Sequence, residues 1–254
     1  MEVQIKRNKL VATYFVLFVL SLILGLSLFP FSQLNQQKVI VAPFKTESPR
    51  EATANIVAVS SSTNSGVIGK TNVLIEKGSG KVLIETNPFI ETDTQYSANT
   101  AKAVAEKYVG LSLKNYNVIY SYDVPAQVLG GPSAGAAMTI ATIAAMKNKK
   151  VRGDVVITGT INADGTIGPV GGILEKVTAA GENNMTLFLL PRGQSKITYY
   201  EKQIENRNIG GFIFRNVYYV PKTLDVKKYA LEKFNMEVEE VNNINEAVYY
   251  MLKS

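Results

Sequence analysis

The run Ala134–Met146, AGAAMTIATIAAM, consists of Ala, Gly, Met, Ile and Thr alone. A helix of that composition has no polar stripe to turn toward water, so it must be covered on all sides. At 254 residues the chain is long enough to build such a core, as one domain of about 200 residues with an appendage. Overlapping the start of the helix, GGPSAG over Gly130–Gly135 fits the G-x-S-x-G pattern of a nucleophile elbow. The elbow's usual base is a histidine, and the chain contains none. Ser133 is therefore either a nucleophile served by another base or the N-cap of a buried helix.

The absence of His and Cys removes His-based triads, cysteine nucleophiles, disulfides and ordinary zinc sites together. No metal or cofactor is expected, and any catalysis must run on Ser, Thr, Lys, Tyr, Asp or Glu. The formal charge of +6 comes from scattered Lys and Arg. Their densest group, Lys147, Lys149, Lys150 and Arg152, falls where the buried helix should end, and cations there answer the helix dipole. Without a basic stripe interleaved with aromatics, nucleic acid is not an expected partner.

From Leu10 to Phe29 twenty residues run without a charge, enough at about 1.5 Å per residue to cross a hydrocarbon layer of about 30 Å. Lys6, Arg7 and Lys9 precede this run, whereas Lys38 is the only charge between Pro30 and Phe44. The positive-inside rule then keeps the N-terminus cytoplasmic and sends the remainder outside. The expected organisation is a tail at 1–9, a transmembrane helix at 10–31, a linker at 32–53 and a folded domain at 54–254. Within that domain strand patterns and helix patterns mix without steady alternation, which points to an α+β fold rather than a Rossmann type. Expected helices include one capped by Asp93 or Thr94 and stopped by Gly110, and a last one with Asn243 and Glu246 at capping-box spacing. GVIGKT and GSGK resemble phosphate loops, but the first Gly of a Walker motif is replaced by Asn64. Gly69 and Gly78 read as hairpin turn residues instead.

The start of the Ser133 helix would offer free backbone N–H groups to a developing oxyanion, and Gly130 and Gly131 leave that backbone open. For a base, the informative question is which lysine lies on an apolar face. In GGILEKVTAAG, Ile173, Lys176, Val177 and Ala180 follow the i, i+3, i+4, i+7 stripe of a core-facing helix, with Glu175 on the other side. An inward Lys176 loses proton affinity through desolvation and becomes a usable base near neutrality. A Lys176 that snorkels to water would be inert, and periodicity alone leaves both readings open.

GGPSAG followed 43 residues later by the lysine of GGILEK, with VVITGTINADGTIGPVGG between, resembles the proteolytic domain of Lon proteases. The resemblance runs from about Ala54 to the C-terminus and weakens between Gln194 and Lys222, where this chain carries extra sequence. It implies a serine–lysine dyad with Ser133 as nucleophile, Lys176 as general base and Thr158 of VITG helping to position the amine. Two departures stand out. The family's acidic residue three places before the serine is Gly130 here, and a membrane anchor replaces the ATPase module. The expected function is a membrane-anchored, ATP-independent serine endopeptidase acting on flexible or unfolded polypeptides, unless a separate ATPase feeds it. The resemblance also raises a homo-oligomeric ring, with GGFIFRNVYYV as one interface. The rival is a catalytically inactive peptide-binding or scaffolding module of the same fold, against which both retained dyad residues argue.

Overall fold

The computed structural model describes residues 42–60 and 63–252, together with Ser21. The chain divides into two units, Met1–Ile40 and Val41–Ser254, and every element described below belongs to the second. The transmembrane helix expected at 10–31 lies, Ser21 apart, outside the described residues. Among the described residues no helix is long and apolar enough to cross a membrane.

The chain runs through β1 (Ala42–Pro43), β2 (Arg50–Val59), β3 (Gly66–Lys77), β4 (Val82–Ile84) and β5 (Phe89–Ile90) into α1 (Thr92–Val109). Next come β6 (Leu111–Ser112), β7 (Tyr116–Asp123), β8 (Val128–Leu129), a 3₁₀ turn at Pro132–Ala134 and α2 (Gly135–Lys147). β9 (Val155–Ile157), β10 (Thr160–Ile161) and β11 (Ile167–Gly168) lead into α3 (Ile173–Glu182) and β12 (Leu187–Pro191). A ribbon of β13 (Lys196–Ile209) and β14 (Phe212–Asp225) precedes α4 (Val226–Phe234), β15 (Glu237–Val241) and α5 (Ile244–Met251).

The fold is a mixed α and β one, around a seven-stranded sheet in the order β15-β12-β9-β2-β3-β7-β4. Its β15, β12, β9 and β2 side is parallel, whereas β2, β3 and β7 pair antiparallel. Period-2 alternation sorts the central strands between two cores. Val155, Ile157, Leu187 and Leu189 face the core built with α1, α2 and α5. Val156, Phe188 and Leu190 face the other, built with α3 and α4. Strands apolar on both faces therefore carry helices on both sides, as parallel strands require.

Helix α2 is buried along its whole length from Gly135 to Met146, as its composition demands. Met138, Ile140 and Ile143 are fully enclosed, each contributing about 1.5–3 kcal/mol through burial. Its buried hydroxyls are satisfied locally: Thr139 donates to the Gly135 carbonyl and Thr142 to that of Met138, both at 2.8 Å. Lys147 opens the basic group that follows, and Asn148 closes the helix in the left-handed region. At the start of α1 the cap differs from expectation, since Glu91 occupies the N-cap without a side-chain cap bond. Thr94 instead donates its hydroxyl to the Gly131 carbonyl at 3.0 Å, joining α1 to the serine turn. Gly110 ends α1 at φ +74°, and Asn243 caps α5 by accepting the Glu246 N–H at 3.1 Å. Gly69 is not a turn residue but sits mid-strand in β3 opposite Ile56, so GVIGKT is antiparallel strand and cannot cradle a phosphate.

Candidate active site

The serine turn is held from three directions. Gly131, at φ +80°, adopts a backbone conformation that a side chain would oppose, and this turns the chain into the Pro132–Ala134 turn. The Ser133 carbonyl accepts the Gly159 N–H at 2.9 Å, and the Ala136 N–H donates to the Gly159 carbonyl at 3.1 Å. The Thr94 bond to Gly131 supplies the third anchor. Neither the 3₁₀ turn nor α2 takes a side-chain cap from Ser133; the residue at the α2 N-cap is Ala134. The capping explanation for this serine thus fails, and Ser133, half-buried, lines a cleft.

Lys176 lies inward, only 4% exposed, on the same stripe of α3 as Ile173, Val177 and Ala180. The snorkelling alternative is thereby excluded. Its Nζ donates to Thr158 Oγ1 at 3.3 Å, and Thr158 is itself fully buried at the end of β9. The Thr158 N–H in turn donates to the Leu189 carbonyl of β12 at 3.0 Å. Adjacent residues therefore serve the two groups, Thr158 receiving the lysine amine and Gly159 the serine backbone. Burial pulls the Lys176 amine down from its ordinary 10.5 to about 8, with the nearby Glu175 carboxylate acting weakly in the opposite sense.

Both side chains open onto one cleft of about 1260 Å³, lined also by Gly130, Gly172 and the 124–129 segment. Glu175 lines it too, although it lies off the apolar face of the helix, which the helical stripe did not anticipate. Glu91 is a further wall residue that sequence reasoning missed. A Cβ built on Gly130 would meet the Glu91 carboxylate, so the missing side chain at that position leaves the space that Glu91 fills. No local pattern marks Glu91, because it reaches the cleft through the pairing of β5 with β8, 39 residues later in register.

Residues 95–207, which include Ser133, Thr158 and Lys176, match the family model for the Lon protease (S16) C-terminal proteolytic domain. This stretch is therefore similar to a Lon-type proteolytic domain. The chain is 33% identical to a Lon protease of Dictyoglomus thermophilum over 140 residues, 51% of this chain and 16% of that protein. It is 29% identical to Lon protease 1 of Myxococcus xanthus over 136 residues, again 16% of the relative's length. A shorter stretch of 61 residues is 49% identical to the Lon protease of Methylocella silvestris and covers 8% of it. The match thus spans less than a fifth of these Lon proteases. Of the ribbon, β13 lies within the matched residues up to Arg207 and β14 lies wholly beyond them.

Proposed function

We propose that the protein is a serine endopeptidase in which Ser133 is the nucleophile and Lys176 the general base. Neutral Lys176 takes the Ser133 proton as Oγ attacks a peptide carbonyl, and the resulting oxyanion rests on backbone N–H groups at the start of the serine turn. The protonated lysine then delivers that proton to the leaving amine, and a water activated by the same amine releases the acyl-enzyme. The observation that carries this reading is the buried Lys176, held by Thr158 beside the residue that holds Ser133. A lysine with its proton affinity reduced to about 8 is neutral often enough to act near physiological pH.

The same proposal makes the enzyme membrane-anchored through Leu10–Phe29, with the catalytic domain outside the cytoplasm, and independent of ATP. The strand placement of GVIGKT supports the last point. Feeding by a separate ATPase and assembly into a ring would extend the same scheme. Its substrates are flexible or unfolded polypeptides, which can enter the cleft without an unfolding motor. Digestion of casein tests the chemistry: Ser133→Ala and Lys176→Ala are each expected to abolish cleavage, and undiminished cleavage by Ser133→Ala would refute it.

A further inference from the structure

The ribbon stands apart from the rest of the domain. Its fourteen cross-strand pairs run from Lys196↔Asp225 to Ile209↔Phe212, a length of roughly 45 Å at about 3.4 Å per residue. From Thr198 to Tyr219 no residue of it is buried, so both faces of a two-stranded ribbon meet solvent. Such a ribbon is marginal in water without something to pack against. Gly210 and Gly211, both with positive φ, close the turn, and the six residues Ile209–Phe214 at the tip carry no charge. Ile209, Phe212, Ile213 and Phe214 are 57–73% exposed. Arg207, paired with Glu205, stands level with Phe214, and behind them lie Arg215 and then the exposed Tyr218 and Tyr219.

We propose that this tip is a second membrane contact, inserting its apolar side chains into a lipid bilayer. An apolar end followed by guanidinium groups and then tyrosines matches the order of acyl chains, phosphates and headgroup region. The inference rests on the anchor reading given above.

The chain has no cysteine, so single labels can be placed at will. Full-length Ile213→Cys, carrying an environment-sensitive fluorophore, is reconstituted in phosphatidylcholine–phosphatidylglycerol vesicles and compared with Tyr249→Cys, an 82% exposed site elsewhere on the domain, and with Val16→Cys in the apolar run. The expected result is a blue shift and quenching by spin-labelled lipid at 213, with quenching by aqueous iodide at 249. Adding Phe212→Asp and Phe214→Asp to the Ile213→Cys protein is expected to abolish the lipid quenching, and these exposed positions leave the core untouched. Iodide quenching at 213 equal to that at 249 overturns the proposal, as does lipid quenching that survives the two aspartates. Shielding from both quenchers together with cross-linking between copies would assign the tip to a protein interface and also overturn it. Lipid quenching at 16 without quenching at 213 leaves the anchor standing and removes only the ribbon contact; none of these readouts depends on peptidase activity.

Discussion

Replacing Lys176 by methionine is expected to stabilise the fold by an amount that changes with pH. In the native protein the amine is 4% exposed and its proton affinity falls from 10.5 to about 8. Between about pH 8 and 10.5 the unfolded chain therefore holds a proton that the folded chain has released, so native stability rises with pH across that window. At 1.36 kcal/mol per tenfold change in proton affinity, the ammonium costs the folded state about 3 kcal/mol below pH 8 relative to above 10.5. Methionine fills a similar volume without a charge, so Lys176→Met removes this cost. The stabilisation it gives should be about 3 kcal/mol larger at pH 7 than at pH 10.5. Denaturant unfolding followed by circular dichroism measures it, with Ser133→Ala in both proteins to prevent self-digestion. Buried Tyr120 and Tyr122, whose phenols burial pushes well above their ordinary value, destabilise the fold as the unfolded tyrosines ionise at high pH. That effect is common to both proteins and cancels in their difference. An equal effect of Lys176→Met at the two pH values would show that the amine is not perturbed, and the argument for its role as a base would fall.

Thr158→Val removes the acceptor of the Lys176 amine. Loss of a hydrogen bond that favours the charged form moves the midpoint of the pH–rate profile below that of the parent. It should also cost about ten- to a hundredfold in kcat, the worth of one charge-assisted bond, while a merely structural defect would leave the midpoint in place. Gly66→Ala drives a Cβ into the Glu175 backbone carbonyl of α3, which cannot rotate away. Displacement of α3 carries Lys176 with it, so casein cleavage should fall by up to about a hundredfold, with a stability loss of about 1–3 kcal/mol in thermal unfolding.

The two residues of the proposed dyad stood out in the sequence because each sits in a local pattern. Ser133 heads a helix with no polar face, and Lys176 lies at i+3 from Ile173 on an apolar stripe. Periodicity reports only whether a residue faces the core, however, and Glu175 shows the limit: it is off the stripe, yet at the first turn of α3 it borders the cleft. Thr158 was reached only through the family resemblance, and Gly159 was not reached at all. Their work is done through one side-chain and three backbone contacts to distant segments, and Gly159 carries no side chain to betray it. Thr94 looked like a cap and proved to be a tie between α1 and the serine turn, because a buried hydroxyl bonds to whatever carbonyl the packing brings near. The two-faced strands VVI and LFLLP were visible as apolar runs, but their parallel pairing depends on helices covering both faces, α1, α2 and α5 on one side and α3 and α4 on the other. The ribbon escaped because its alternation is broken by exposed tyrosines and its residues read only as extra sequence.

The central claim, that Lys176 activates Ser133, is tested most directly by the rate at which a fluorophosphonate labels Ser133 as a function of pH. The account predicts a rate that climbs about tenfold above its value at pH 7 and levels off beyond a midpoint near pH 8, with labelling lost in Lys176→Met. A labelling rate in Lys176→Met equal to that of the parent across the same range would contradict it.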